Sequence, residues 1–104
     1  MAETRSKIND SAARVLDVLL ALNGHVSKGL SHGQISKGLN ESPSTISRCL
    51  NTLMEKGMVK KNDDGSYSQS VKTAQIGLAC LEELDRETQR LAELRQRIST
   101  SLNR

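Results

Sequence analysis

One aromatic side chain, Tyr67, stands in a chain of 104 residues that has no Trp and no Phe. Aromatic rings carry the largest apolar area a residue can bury, so their absence limits the core that can be built. The core must be assembled from Leu, Ile, Val, Ala and Met. A chain of this length supplies one small domain, with much surface for little interior. A partner chain would therefore add to its stability.

Aliphatic residues recur mostly at helical spacing. Asn9, Asp10 or Ser11 caps a first helix that runs to about Leu22. Ala13, Leu16, Leu19 and Leu20 form its inward stripe, widened by Val15, Val18 and Leu22. Asn23-Gly24 closes it, and His25 to Leu30 supplies one short strand. Ser31-His32-Gly33-Gln34 has the form of a capping box, which starts a second helix ending near Leu39. Ile35 and Leu39 face inward. Gly38 to Glu41 makes a tight turn. Ser42-Pro43 then opens a third helix, because Ser caps well and Pro loses nothing at the first helical position. That helix runs to about Lys56. Ile46, Leu50, Leu53 and Gly57 share one face, flanked by Cys49 and Met54.

Met58 to Lys61 predicts a strand, Asn62-Asp63-Asp64-Gly65 a turn, and Ser66 to Gln69 the returning strand. From Thr73 the pattern is helical almost to the end. Leu84, Leu91 and Ile98 repeat every seven residues, and Leu81 and Leu102 lie on a neighbouring stripe interrupted by Thr88 and Arg95. Glu82–Arg86 and Glu93–Arg97 are spaced to support an exposed helix. The predicted class is mainly α with a small β-hairpin: a winged helix-turn-helix followed by a long C-terminal helix. Its parts are a flexible arm at 1–8, the DNA-binding unit at 9–72, and a dimerising helix at 73–104.

The third helix carries the functional expectation. At about 100° per residue, Ser44, Arg48, Asn51 and Glu55 point away from Ile46 and Leu50, with Thr45, Ser47 and Thr52 on the flanks. A merely solvated face would hold more Glu and Lys. Short hydroxyls allow close approach to phosphates, Arg pairs with guanine, and Asn with adenine. The helix N-terminus at Ser42 can also meet a phosphate. Lys60, Lys61 and Asn62 stand where the hairpin begins, either as wing contacts to DNA or as edge charges that block strand pairing. Arg14, Arg5 and Lys7 lie at or before the first helix, either in contact with phosphate or, for Arg5 and Lys7, as mobile charges that keep the chain soluble. Net charge is +3 for the whole chain. Residues 1–72 hold all of that excess, and 73–104 balance to zero.

Other classes find little support. The cysteines, Cys49 and Cys80, sit in helical patterns without a thiol or histidine at metal-ligand spacing, so no metal and no disulfide is expected. His25 and His32 lie in or beside turns without a paired acid or nucleophile. Asp63/Asp64 and Glu82/Glu83 are turn and surface pairs, and no phosphate loop occurs. The chain is expected to be no enzyme and to take no cofactor. The N-terminus lacks a signal-peptide pattern, and the longest apolar run, Val18 to Leu22, is far too short to span a bilayer. A cytoplasmic, nucleoid-associated protein is expected, without membrane partners.

Four stretches resemble the DNA-binding domain of the IclR family. Ser11-Ala-Ala-Arg14-Val-Leu-Asp-Val-Leu19 resembles its opening helix, and Ser42-Pro-Ser-Thr45-Ile-Ser-Arg48-Cys-Leu50 through Val59 its recognition helix and exit. Asp64-Gly65-Ser-Tyr67-Ser68 resembles the wing tip, and Ile76-Gly77 the start of the linker helix. The resemblance covers roughly 11–78. It implies transcriptional regulation by dimers on palindromic operators, with DNA contact from Ser44, Thr45, Ser47 and Arg48. Two departures stand out. Gly24 to Gly29 looks like an insertion, and the family's effector domain has no counterpart before Arg104. No small-molecule ligand is therefore expected, and the last helix either pairs subunits through Leu81, Leu84, Leu91 and Ile98 or folds back on the domain. The rival expectation is a winged helix that binds protein, as an antirepressor or assembly adaptor.

Overall fold

The computed structural model describes residues 7–102, and these divide into two compact units between Thr73 and Ala74. Residues 1–6 of the expected arm, with Arg5, lie outside the described residues. The element order is α1 (Asp10–Ala21), α2 (His32–Leu39), α3 (Pro43–Glu55), β1 (Val59–Lys61), β2 (Tyr67–Gln69) and α4 (Val71–Leu102). This is a winged helix-turn-helix with a long C-terminal helix.

Each of the first three helices begins on a side-chain cap. The Asn9 carboxamide oxygen accepts from the Ala12 amide at 3.1 Å. At Ser31 the capping box closes both ways: the Gln34 amide donates to Ser31 Oγ at 3.1 Å, and the Ser31 amide to Gln34 Oε1 at 2.9 Å. Ser42 caps α3, with Pro43 following it. Such caps satisfy amides that a helix N-terminus leaves without partners. The ends of α2 and α3 also match each other. Asn40 and Gly57 are left-handed (φ 53° and 75°), and the residue after each returns a hydrogen bond into the helix. The Glu41 amide reaches Ser36 O and the Met58 amide reaches Leu53 O, closing the last carbonyls of each helix. The helical stop falls at Asn40, so Gly38 lies inside α2 and not in the expected turn.

The core of this unit is aliphatic: Val18, Leu22, Ile35, Ile46, Leu50, Leu53 and Val59, with the thiol of Cys49 among them. On α1 the inward stripe is Val15, Val18, Leu19 and Leu22, the i, i+3, i+4, i+7 set. This corrects the sequence expectation. Leu16 and Leu20 are 57% and 60% exposed and do not line the core. Both apolar sets have helical spacing, and only the positions of α2 and α3 choose between them.

The expected strand at His25 to Leu30 shrinks to a single bridge, Leu30 with Tyr67. Its two backbone hydrogen bonds measure 2.9 and 2.8 Å. The hairpin pairs Val59 with Gln69, Lys60 with Ser68 and Lys61 with Tyr67. Its far side is fastened to α1, because Gln69 Nε2 donates to Leu19 O at 3.1 Å and to Asn23 Oδ1 at 2.9 Å.

Helix α4 starts two residues earlier than expected, at Val71. Ser70 begins it, taking the Lys72 amide on its hydroxyl. In the second unit, every described residue from Ala74 on is exposed. Among the described residues, its ion pair is Glu87–Arg90; the expected pairs Glu82–Arg86 and Glu93–Arg97 do not close. No described helix is long and apolar enough to cross a membrane.

Two leucines on α1 provide a test. Leu22→Ala removes a side chain that is fully buried and should cost about 2–5 kcal/mol in urea unfolding. Leu16→Ala, on the exposed side, should stay within about 0.5 kcal/mol of wild type. Equal losses would mean the inward stripe is wrongly assigned.

Candidate nucleic-acid interface

The caps at Ser31 and Ser42 fix where α2 and α3 begin, and the core fixes how α3 is rotated. With Ile46, Cys49, Leu50 and Leu53 buried, the outward face carries Ser44, Ser47, Arg48, Asn51, Thr52 and Glu55, all exposed. Thr45 is half-buried. The first turn is joined by hydroxyls. Ser42 Oγ donates to Thr45 Oγ1 at 2.8 Å, accepts from the Thr45 amide at 3.3 Å, and lies 3.3 Å from Ser44 Oγ. Thr52 donates to Arg48 O at 3.0 Å, so its hydroxyl is turned onto its own helix.

Arg48 and Arg14 line one groove of about 210 Å³ between α3 and α1, together with Thr45 and Thr52. Arg14 is also held by Glu41 at 3.6 Å, an exposed pair that steadies it without neutralising the groove completely. Cys49 lies in the groove wall, and burial pushes its thiol above the usual range, with Glu41 adding to the shift. It is therefore a packing group there and not a nucleophile.

His32 enters this surface, a residue given no role by its sequence position. Its Nε2 lies 2.9 Å from Ser47 Oγ, across fifteen residues of sequence. The first residue of α2 thus touches the middle of α3. The contact orients the Ser47 hydroxyl on the outward face. No local pattern shows it, because it depends on how the two helices cross.

The wing brings Lys60 and Lys61 to an exposed edge, and the Lys61 ammonium sits 5.7 Å from the centroid of the Tyr67 ring. Asn62 has a different part. Its Nδ2 donates to Ser66 Oγ at 2.9 Å and to Ser68 Oγ at 2.8 Å, and Ser68 is fully buried. The carboxamide braces the hairpin from within. At the tip, the Ser66 amide and hydroxyl both donate to Asp64, holding its carboxyl below the usual range.

Gly29 explains the segment that looks like an insertion. A Cβ there would stand 2.5 Å from Tyr67 O, 2.7 Å from Ser66 Oγ and 2.8 Å from Asn62 Nδ2. Glycine lets the chain before α2 lie directly against the wing, next to the Leu30–Tyr67 bridge. No group of three or more metal-ligating side chains occurs among the described residues.

The family profile of the IclR helix-turn-helix domain matches residues 11–63. Among solved structures, the crystal structure of Pseudomonas aeruginosa HmgR is similar, with a TM-score of 0.67 and 26% identity. The match covers 74% of this chain and 33% of that one, so the chain spans about a third of HmgR's length. No curated protein sequence matches.

Gly29→Ala should push the wing away from the loop. Overpacking of this kind costs about 1–3 kcal/mol. The amide resonances of Asn62 to Ser68 should move in a two-dimensional NMR spectrum while those of α1 stay in place. Unchanged wing resonances would show that the loop does not press on the hairpin.

Proposed function

The chain belongs to the IclR helix-turn-helix family, and from this we propose that it is a sequence-specific DNA-binding transcriptional regulator acting as a homodimer. In this reading α3 enters the major groove, and the wing lies on the backbone or in the minor groove. The observation that carries it is the outward face of α3. It offers Ser44, Ser47, Arg48 and Asn51 free of the core, while the neighbouring Ile46 and Leu50 are buried. Arg48 takes a base edge, bidentate to guanine, and Asn51 adenine. Ser42, Ser44 and Thr45 approach phosphates, with Arg14 beside them across the groove, while Thr52 flanks them with its hydroxyl on its own helix. Ser47 acts with His32, which sets the direction of its hydroxyl. Lys60 and Lys61 are the wing's phosphate contacts, and Asn62 serves them by keeping the hairpin closed.

The dimer would pair through α4, where Leu81, Leu84, Leu91 and Ile98 are each more than half exposed in the single chain. A two-fold dimer suits a palindromic site, since each subunit reads one half. Repression follows most simply from such occupancy, by exclusion of other proteins from the same duplex. The protein would act in the cytoplasm, on the nucleoid.

Arg48→Ala tests the base contact in a fluorescence-anisotropy titration on a site obtained by random-sequence selection. Loss of a bidentate contact should cost roughly 1–3 kcal/mol on that site and little on unrelated duplex. An unchanged affinity removes Arg48 from the interface. Salt separates DNA binding from a protein-binding role, because release of counterions makes the affinity for duplex fall steeply as salt rises. If no duplex is retained even at low salt, the regulator reading fails.

A further inference from the structure

In α4, Leu81, Leu84, Leu91, Leu94, Ile98 and Leu102 are exposed by 40% or more. At 3.6 residues per turn these six occupy one arc of roughly 140°. Glu87 and Arg95 are the charged residues inside that arc. They stand at equal distances on either side of Leu91. The surrounding charges follow the same division. Glu82, Glu83, Asp85 and Glu87 outweigh Arg86 and Arg90 in the first half of the stripe, and Arg95 and Arg97 outweigh Glu93 in the second.

A parallel pair of such helices would set Glu87 against Glu87 and Arg95 against Arg95 along an apolar seam, and acidic half against acidic half. Like charges at a helix seam oppose pairing, and charges beside a seam select orientation. An antiparallel pair reverses every one of these contacts. We propose that α4 pairs with α4 of a second copy, antiparallel about a two-fold near Leu91, with Glu87 of each chain beside the partner's Arg95. This rests on the dimer reading above and adds its orientation. The occupant is a second copy because the pattern is complementary to its own reverse, the condition for an isologous interface. Leu84 then lies toward the partner's Ile98, and Leu91 toward the partner's Leu91. Glu87 already meets Arg90 within its own helix. Arg90 lies outside the apolar arc and donates to both oxygens of the Glu87 carboxylate, each of which keeps acceptor capacity for a second guanidinium.

The full-length chain carries its own reporter. Cys80 is exposed and Cys49 buried, so a nitroxide attaches at Cys80 alone. Pulsed dipolar EPR should give a separation of about 30–40 Å between the two labels, from 1.5 Å of rise per residue about a centre near Leu91. Parallel helices would hold them within about 15 Å, given interaxial distances of 8–10 Å. The shorter distance overturns the proposal.

Arg95→Glu gives an independent check by sedimentation equilibrium. It should weaken dimerisation roughly tenfold at low salt, since two attractive pairs become repulsive. Adding Glu87→Arg to the same chain should restore it. Equal dimerisation by wild type and both variants overturns the antiparallel pairing while leaving a dimer in place. A wild-type chain that stays monomeric overturns the dimer reading itself. Neither result bears on duplex binding, which the Arg48 titration measures separately.

Discussion

Burial of Ile46 and Leu50 against Val18, Leu22 and Ile35 is the interaction on which the rest depends. These five aliphatic side chains fill the centre, and the one aromatic ring, Tyr67, packs only at its margin. Close-packed aliphatic groups tolerate little rotation, because each change of rotamer leaves a void or a clash. The rotation of α3 is therefore set by its buried face. Its opposite face, with Arg48 and Asn51, follows from that rotation. The orientation of the surface that would meet DNA is set by the buried face beneath it.

The wing depends on a second arrangement, made of polar groups. A three-residue hairpin is marginal alone. Here it is held by the Leu30–Tyr67 bridge on one side and by Gln69 on the end of α1 on the other. The Asn62 amide donates to the buried Ser68 hydroxyl, which offsets part of the cost of burying that oxygen. Lys60 and Lys61 inherit a fixed position from this network. The same network requires glycine at position 29, since the chain before α2 has no room for a side chain. The segment that looks foreign to the family pattern is part of what holds the wing.

Helix α4 is governed by a different balance. An isolated helix in water is only marginally stable, and most helices in proteins gain stability by burying an apolar face. Exposed leucines every seven residues give α4 such a face. In a self-paired dimer, charge would add direction, because the acidic and basic halves would favour one orientation over the other.

The local elements were legible because their causes are local. A Ser cap followed by Gln or Pro and an Asn-Asp-Asp-Gly turn act within a few residues, and each appears where the sequence placed it. The outward composition of α3 was legible for the same reason, since its periodicity leaves Ile46, Leu50 and Leu53 no other side. Where two choices were locally equal, the sequence had no means to decide. Leu16 and Leu20 have the same spacing as Val18 and Leu22, and only the docking of α2 and α3 buries one set. His25 to Leu30 has strand-like residues, yet one bridge forms because Tyr67 alone offers it backbone partners. His32 beside Ser47 and Asn62 beneath Ser68 join residues that share no local pattern. The sequence by itself determined the elements and their order, through contacts within one or two turns. The tertiary structure decided which faces meet, because that choice is made by the shape of neighbours far away in the chain.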